Sequence, residues 1–368
     1  MVSILADNIY SPLGMTTADN YAAVKQGRSM LRSCQAGTMG INEAFTLSLF
    51  DEESVPLMEG YTRFERLVIA SVSRALASAD VDVHSDRLLF VLSTTKGNVE
   101  LLDAAQPSVP ADRVLPGVAA QAVASHFGFR RSPLVVSNAC ISGLSAQITA
   151  LRLLDSGVCD VAVVCGADVV SRFVVSGFSS LKALSPFECR PFDMERMGIN
   201  LGEAAATVVY GRGGAVSWRG AVRNDAYHIS SPSPQGEGCW QAIRAAMGDD
   251  GADALAFVNA HGTSTLYNDE MESAAIWRAG LSDVPVNSLK GYYGHTMGAA
   301  GVLETILSMH ALDDGCVLAT RGFAETGVSH ALRLSSVNSS TTKHAFLKLL
   351  SGFGGCNAAL LMKKGGEV

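Results

Sequence analysis

A cysteine lies where the chain changes from a strand-like to a helix-like pattern. The stretch PLVVSNACISG, residues 133–143, is apolar up to the turn before Cys140, and apolar residues at helical spacing follow it. A thiol at a helix N-terminus is favoured as the thiolate, with a pKa that can fall to roughly 3.5–7.5. The small neighbouring residues would let a bulky acyl group approach. Spacing alone leaves two interpretations open, a buried structural thiol and a nucleophile.

Two histidines and a glycine turn also lie at the ends of strand-like runs. His261 ends the run ALAFVNAH, and His295 follows the run DVPVNSLK within the stretch KGYYGHTMGAAG. Active sites of α/β proteins collect at such loops. The stretch SGFGGCNAA, residues 351–359, is a glycine turn that could present backbone N–H groups to an oxyanion. Each feature alone has an ordinary structural explanation, but together they favour an active site.

Short apolar runs alternate with segments of helical spacing along the chain. Strands are predicted at 88–94, 133–139, 160–167, 204–211, 254–261, 283–290, 345–352 and 357–363. Helices are predicted at 62–79, 141–157, 268–280 and 298–312, the last with small residues at its start that permit close helix packing. Strands that are apolar at nearly every position imply sheets covered on both faces, so the fold class is α/β.

The alternating pattern occurs twice, once before about residue 211 and again after about residue 250. It predicts two similar halves, residues 1–211 with the cysteine and residues 212–368 with both histidines. The segment 212–238 is interpreted as a connecting excursion. A length of 368 residues is consistent with two packed units or one duplicated domain.

Composition excludes several classes of protein. With 48% hydrophobic and 17% charged residues, the chain is typical of a compact enzyme. A net charge of -7 without a dense Lys/Arg run argues against nonspecific nucleic-acid binding. The N-terminus lacks signal-peptide features, and no apolar run reaches membrane-spanning length. Eight cysteines without CxxC pairs predict reduced thiols, no structural metal and a cytoplasmic location.

Four motifs together resemble the β-ketoacyl-acyl carrier protein synthases of the thiolase superfamily. They are VSNACISG, VNAHGTST, KGYYGHTMGAAG and GFGGCNAA, and further similar stretches extend the resemblance over nearly the whole chain. The resemblance implies a thiolase-like fold, in which two similar α/β halves form a five-layer αβαβα sandwich. It implies decarboxylative Claisen condensation of an acyl thioester with malonyl-acyl carrier protein, in fatty acid or polyketide biosynthesis, aryl-polyene-like pathways included.

The resemblance also assigns roles to the reacting groups. Cys140 corresponds to the nucleophile that accepts the acyl chain, and His261 and His295 to the pair that binds the malonyl thioester carbonyl and stabilises the enolate. Lys290 corresponds to the lysine that organises the second histidine, with Glu304 as its ion-pair partner. Both imidazoles must then be neutral, with a donor nitrogen directed into the site.

Further residues are assigned to the acyl pocket, the pantetheine arm and the carrier protein. The backbone N–H groups of Cys140 and Phe353 correspond to the oxyanion hole, and the Phe353 ring to the gate of the acyl pocket. Thr263 and Thr265 correspond to the hydroxyls that hold phosphopantetheine. Candidate contacts to an acidic acyl carrier protein are Arg63, Arg66 and Arg190. The resemblance implies no cofactor besides the carrier's phosphopantetheine, and a homodimer or a heterodimer with a related subunit.

Three alternative functions remain at this point. A degradative thiolase would use a second catalytic cysteine, for which Cys356 is placed after the glycine turn. A noncatalytic partner subunit that sets product length would usually lack the nucleophile. An unrelated Cys/His hydrolase would not require His295, Lys290 or the GFGG turn.

Overall fold

The computed structural model describes residues 1–103, 106 and 108–365. The strands are β1 (Val2–Tyr10), β2 (Arg32–Cys34), β3 (Phe45–Ser48), β4 (Leu88–Ser93), β5 (Leu134–Val136), β6 (Val161–Asp168), β7 (Leu201–Gly202), β8 (Ala204–Arg212), β9 (Val216–Asn224), β10 (Phe257–Asn259), β11 (Pro285–Asn287), β12 (Cys316–Val317), β13 (Arg333–Leu334), β14 (Ser339–Ser340), β15 (Ala345–Gly352) and β16 (Cys356–Lys364). The helices are α1 (Thr17–Lys25), α2 (Arg63–Ala77), α3 (Pro116–Phe127), α4 (Ser142–Asp155), α5 (Arg172–Ser180), α6 (Glu237–Met247), α7 (Leu266–Arg278), α8 (Lys290–Tyr293) and α9 (Ala300–Asp313). Within these described ranges, no helix has the length and apolar character needed to cross a membrane.

Two sets of five strands repeat one topology. The first set has the order β5-β4-β6-β8-β1 and the second the order β11-β10-β15-β16-β9. In both sets the first two pairings are parallel and the last two antiparallel. The sets meet where Val2 pairs with Val216, and β13 extends the outer edge of the second. The prediction of two similar α/β halves is confirmed, whereas the border between residues 211 and 212 stays a prediction.

The helices form three layers around the two sets of strands. Helices α4 and α9 occupy the middle layer and contact strands of both sets. Helix α9 is buried at nearly every position, as expected for a helix enclosed by sheets on both sides. Helix α2 covers the outer face of the first set, and α6 covers the outer face of the second. The predicted thiolase-like αβαβα sandwich is confirmed.

Glycine allows the two central helices to approach closely. A β-carbon built on Gly301 of α9 would lie 2.3 Å from the backbone nitrogen of Leu144 and 2.6 Å from the carbonyl carbon of Gly143 in α4. Only a residue without a side chain therefore fits at this crossing. Since α4 follows Cys140 and α9 follows His295, the contact sets the distance between the residues that the two halves contribute.

The interpretation of residues 212–238 as a connecting excursion is wrong for 216–224. These residues form β9, which pairs with β16 over its whole length and begins the second half. The sequence VSWRGAVRN mixes polar and apolar residues because the strand is only partly buried. A criterion that requires apolar residues at nearly every position therefore misses it. The predicted segments also do not include strand β1 or helices α1, α3, α5, α6 and α8.

Replacing Gly301 with alanine tests the central helix contact. Gly301→Ala should lower the free energy of unfolding by about 1–3 kcal/mol through overpacking, although alanine favours a helix by about 1 kcal/mol. The matched control is Gly177→Ala in α5, where a β-carbon meets no atom within 4 Å. Urea unfolding measures both variants. A Gly301→Ala protein as stable as Gly177→Ala would contradict the close contact.

Candidate active site

Cys140 lies in a sharp turn between β5 and α4. Ala139, directly before it, has a φ of 44°, in the left-handed region that a residue with a side chain rarely adopts. The Ser142 hydroxyl accepts the N–H of Asn138 at 2.8 Å and donates to the Ala139 carbonyl at 2.6 Å. These bonds hold the strained turn, so the predicted strand-to-helix position of the cysteine is confirmed.

The Cys140 sulfur is buried and carries its proton in the resting protein. Burial raises the pKa of the Cys140 thiol to about 12, and the neighbouring Cys356 acts in the same direction. Lys290 and the backbone N–H of Phe353 act to lower the pKa, without overcoming burial. The expectation that the helix N-terminus sets a low pKa is therefore wrong, because desolvation outweighs it. A reaction of this thiol requires a base close by.

A carboxylate of α7 holds the backbone of His261. The N–H of His261 donates to Glu272 Oε1 at 2.6 Å, and the N–H of Gly262 donates to Glu272 Oε2 at 2.8 Å. Burial raises the pKa of Glu272 to about 7, although the two N–H donors oppose this. The sequence interpretation gave Glu272 no role. Glu272 orients the start of the loop and thus the direction of the imidazole.

A second carboxylate of α7 holds the rest of the same loop. Asp269 accepts the N–H of Thr263 at 2.9 Å and the N–H of Ser264 at 3.1 Å. It also accepts the N–H of Phe192 at 2.7 Å. The sequence interpretation quoted Asp269 within a motif but gave it no role. The signal was available, because acidic residues at positions 269 and 272 share one helix face.

His295 is fixed by backbone bonds to the segment that leads into β7. Its N–H donates to the carbonyl of Asn200 at 2.7 Å, and its carbonyl accepts the N–H of Gly202 at 3.0 Å. Its Nδ1 accepts the N–H of Met297 at 3.3 Å, so the neutral ring carries its proton on Nε2. Among the described residues, Nε2 has no hydrogen-bond partner. It is therefore free to donate to a bound substrate.

Both imidazoles are neutral. Burial lowers the pKa of His261 well below its usual value, and Lys290, His295 and Lys348 lower it further. The pKa of His295 is likewise lowered by burial and by the two lysines. The ring centroids lie 5.0 Å apart at an interplanar angle of 79°. A neutral pair of this kind can donate hydrogen bonds to a developing anion or accept a proton from a thiol.

The structure brings Cys140, His261 and His295 together. One thiol sulfur and one nitrogen from each imidazole lie within 4.8 Å of one another. Such a set could also ligate an ion such as Zn²⁺. Ligation through Nε2 of His295 would require the proton on Nδ1, where it would face the Met297 N–H. Two N–H donors, one on Nδ1 and one on the Met297 backbone, would then face each other. This repulsion favours the hydrogen-bonding role of His295 over a metal site.

Two buried lysines share one carboxylate beside the histidines. Lys290 donates to Glu304 Oε1, which confirms the contact between the two predicted partners. Lys348 Nζ donates to Glu304 Oε2 at 2.5 Å. Burial acts to raise the pKa of Glu304, but the two ammonium groups lower it below the usual value. The sequence interpretation missed Lys348, although a charged residue inside the apolar run AFLKLLSG was a visible signal.

A cavity of about 290 Å³ connects this cluster with the surface. Its walls include Cys140, both histidines, Thr263, Thr265 and Phe353. The two threonine hydroxyls lie 2.9 Å apart. The ring of Phe353 is 39% exposed and lies 5.8 Å from the ring of Phe178. The residues assigned to the pantetheine arm and the gate therefore line the same cavity as the thiol and the two histidines. Lys290 and Glu304 are not among the lining residues.

The close approach of β15 to the cysteine depends on Gly352. A β-carbon at Gly352 would lie 3.1 Å from the backbone nitrogen of Cys140 and 2.9 Å from the sulfur of Cys356. The next residue, Phe353, directs its backbone N–H to the Cys140 sulfur. The Phe353 N–H is thus held beside the reacting sulfur, while its joint action with the Cys140 N–H as an oxyanion hole stays a prediction.

The three arginines proposed for carrier binding lie outside the cavity walls. Arg63 pairs with the buried Glu203 at 2.8 Å. Arg66 donates to backbone carbonyls at 3.2 Å and 3.3 Å, and Arg190 donates to the Gly322 carbonyl at 3.1 Å. Each guanidinium is therefore engaged within the chain. Their contact with a carrier protein stays a prediction.

Comparison with known proteins identifies relatives over the whole chain. A family model described as the N-terminal domain of β-ketoacyl synthase matches residues 2–213, and one for the C-terminal domain matches residues 215–324. The 3-oxoacyl-[acyl-carrier-protein] synthase 2 of Vibrio cholerae is 28% identical over 99% of both chains. The ketoacyl synthase alpha subunit of the tetracenomycin polyketide synthase of Streptomyces glaucescens is 29% identical over 99% of this chain and 97% of its own.

A similar solved structure is the ketosynthase ApeO in complex with its chain length factor ApeC from Xenorhabdus doucetiae. The match has a TM-score of 0.86 and 26% identity, and it covers 99% of this chain and 98% of the other.

Removing the Asp269 carboxylate tests its role in holding the loop. Asp269→Ala leaves three buried N–H groups without an acceptor, and each unpaired group costs about 1–3 kcal/mol. The expected loss in the free energy of unfolding is about 3 kcal/mol or more. The control is Glu270→Ala on the same helix, where, among the residues that the structure describes, the carboxylate accepts only the N–H of Ser329. Urea unfolding should separate the two variants, and equal losses would contradict the role of Asp269.

Proposed function

Since this chain belongs to the β-ketoacyl synthase family, we propose that Cys140, His261 and His295 carry out its decarboxylative condensation. The protein is an acyltransferase whose relatives serve fatty acid and polyketide synthesis. The observation that carries the assignment is the cluster itself, a thiol and two neutral imidazoles within 4.8 Å at one cavity. One of these imidazoles keeps a free N–H donor on Nε2.

The first step transfers the acyl group to Cys140. The thiol proton passes to a neutral imidazole, and the sulfur attacks the carbonyl carbon of the acyl thioester on the carrier protein. The carbonyl oxygen becomes negative and accepts the backbone N–H groups of Cys140 and Phe353. The bond to the pantetheine sulfur breaks, and that sulfur takes the proton from the imidazole. The histidine is neutral again before the second substrate binds.

The second step forms the new carbon–carbon bond. The malonyl thioester loses carbon dioxide, and the electron pair left behind becomes an enolate whose oxygen accepts N–H donors from His261 and His295. The enolate carbon attacks the acyl carbonyl on Cys140, the bond to the Cys140 sulfur breaks, and the sulfur leaves with the electron pair. The thiolate then takes a proton from solvent, which reaches it through the cavity. An imidazolium could not accept the thiol proton in the first step. The low pKa of both histidines keeps the rings uncharged and thus available for that step.

The partner that delivers both substrates is proposed to be an acyl carrier protein. The hydroxyls of Thr263 and Thr265 line the cavity, where they can hold the amide groups of a phosphopantetheine arm. We propose no other cofactor. In the similar structure from Xenorhabdus doucetiae, a ketosynthase is in complex with its chain length factor, which supports a dimer with a second chain of this family. All eight cysteines are free thiols, which supports a reducing, cytoplasmic setting.

The chemistry of the site argues against the alternative functions. A partner subunit that only sets chain length would need no nucleophile, yet Cys140 lies against both histidines. A thiolase would need Cys356 as a second reacting thiol. The Cys356 S–H donates to the Phe353 carbonyl at 3.4 Å, and its sulfur lies outside the Cys–His–His cluster.

The assignment predicts separate effects for the cysteine and the histidine. With acyl-carrier protein as donor, Cys140→Ala should acquire no acyl group by mass spectrometry, because no thiol remains at the cavity. His295→Ala should release carbon dioxide from malonyl-carrier protein about 10²–10³-fold more slowly, as expected for the loss of one oxyanion donor. Cys34→Ala, a change at a half-buried thiol outside the cavity, should behave as the unaltered protein.

Acylation of Cys140→Ala at the rate of Cys34→Ala would show that another group is the nucleophile. Self-acylation of the unaltered protein without release of carbon dioxide would contradict condensation by this chain alone. Release of carbon dioxide by His295→Ala at the unaltered rate would remove His295 from the mechanism.

A further inference from the structure

Lys348 occupies an unusual place for a charged residue. It lies in the middle of β15, between Leu347 and Leu349, and its side chain is completely buried. Lysine is rarely found fully buried unless it is paired. Its ammonium group contacts Glu304 Oε2 at 2.5 Å, the Ala260 carbonyl at 3.3 Å and the Asn259 carbonyl at 3.4 Å. The reaction described above does not use this group.

Lys348 shares its carboxylate partner with a second buried lysine. Each oxygen of Glu304 contacts a different lysine, so one carboxylate serves the two ammonium groups of Lys290 and Lys348. Burial lowers the pKa of Lys348 to about 8, while Glu304 and Glu272 act to raise it and Lys290 to lower it. The side chain is therefore mainly protonated at neutral pH. Glu304 is thus divided between two lysines, and Glu272 is the other carboxylate that acts on Lys348.

The same ammonium group reaches the segment that precedes a reacting residue. Asn259 and Ala260 lie directly before His261, and Asn259 is the register partner of Lys348 in the parallel pair of β10 and β15. The contacts to both carbonyls hold the end of β10 from one side. Glu272 holds the N–H groups of His261 and Gly262 from α7. The backbone of His261 is thus fixed between a buried cation and a buried carboxylate.

The charge of Lys348 also acts on the two imidazoles. Lys290, Lys348 and His295 lower the pKa of His261, and Lys290 and Lys348 lower that of His295. The other titratable groups beside them are Cys140, in the same cluster, and Glu272, which accepts the His261 N–H. A positive charge near an imidazole disfavours its protonated form. Glu304 is shared with Lys290, so Lys348 adds a second buried cation beside both rings that Glu304 does not serve alone.

We propose that Lys348 is a positioning residue which fixes the backbone before His261 and supplies the second buried cation that keeps His261 and His295 uncharged. Its part in the reaction rests on the proposed condensation. Its effect on the histidines does not depend on that reaction and is measurable without substrate.

Two substitutions separate the charge of Lys348 from its hydrogen bonds. Lys348→Met removes both, whereas Lys348→Gln removes the charge and keeps an N–H donor for the Ala260 carbonyl. The control is Lys343→Met, the same change at an exposed lysine just before β15. Release of carbon dioxide from malonyl-carrier protein is measured between pH 5 and 9, with folding checked by circular dichroism.

Loss of the cation should raise the pKa of both imidazoles, so the acidic fall in rate should begin at higher pH. The expected shift of this limb is about one pH unit in Lys348→Met and Lys348→Gln, or roughly a tenfold loss of rate on the acidic side. Lys343→Met should follow the unaltered protein. At pH 8, Lys348→Gln should keep a higher rate than Lys348→Met because it holds the end of β10. Folded variants whose acidic limb coincides with that of Lys343→Met would overturn the proposal.

Titration of the histidines provides a readout that needs neither turnover nor a folded Lys348 variant. In the unaltered protein with ¹³C-labelled histidine, His261 and His295 should remain neutral well below pH 6.5, with signals assigned by His261→Asn and His295→Asn. Protonation of both near pH 6.5 would overturn the role of the cation even if both Lys348 variants fail to fold. Neutral histidines in a protein that releases no carbon dioxide would instead refute only the proposed condensation.

Discussion

The contact between the two central helices is the constraint on which the active site depends. Cys140 belongs to the first half and both histidines belong to the second, so no local segment can place them together. Helices α4 and α9 approach until the backbone at Gly301 leaves no space for a β-carbon beside Gly143 and Leu144. Each reacting residue lies just before one of these helices or in a loop beside them. A small separation of the helices would therefore open the distance between thiol and imidazole.

Burial shifts the pKa values of the groups in the site in opposite directions. It raises the pKa of Cys140, which keeps the thiol protonated, and lowers the pKa of both histidines, which keeps them able to accept that proton. Carboxylates on α7 hold the His261 loop through its backbone N–H groups. Glu304 holds two lysines beneath the rings. We therefore expect these charged groups to affect the reaction mainly by holding the backbone in place and through the electric field at the imidazoles.

Prediction from the sequence succeeded where burial produces a clear local pattern of residue types. It failed where the pattern is mixed or where a property depends on the layers packed around a residue. Most of the eight apolar strands were recognised because burial on both faces leaves a continuous apolar run, whereas β5 is apolar but only partly buried. Strand β9 was missed because its partial burial gives a mixed pattern, although it pairs fully with β16. Cys140 was placed correctly at a strand-to-helix turn, but burial raises the pKa of its thiol, opposite to the expected direction. The helix terminus is visible in the sequence, whereas the layers that bury the sulfur are not.

The α/β class, the two similar halves and, through four motifs, the family could be read from the sequence, and the same motifs supplied the proposal for the groups that react. These follow from periodicity and from residue types that stand close together in the chain. The tautomer of His295, the carboxylates that hold the His261 loop and the sharing of Glu304 by Lys290 and Lys348 became visible only in the folded chain. Lys348 is 87 residues from His261 along the chain, and sequence distance carries no information about such a contact. Hydrogen bonds and electric fields depend on separation in space, which packing of the two halves alone defines.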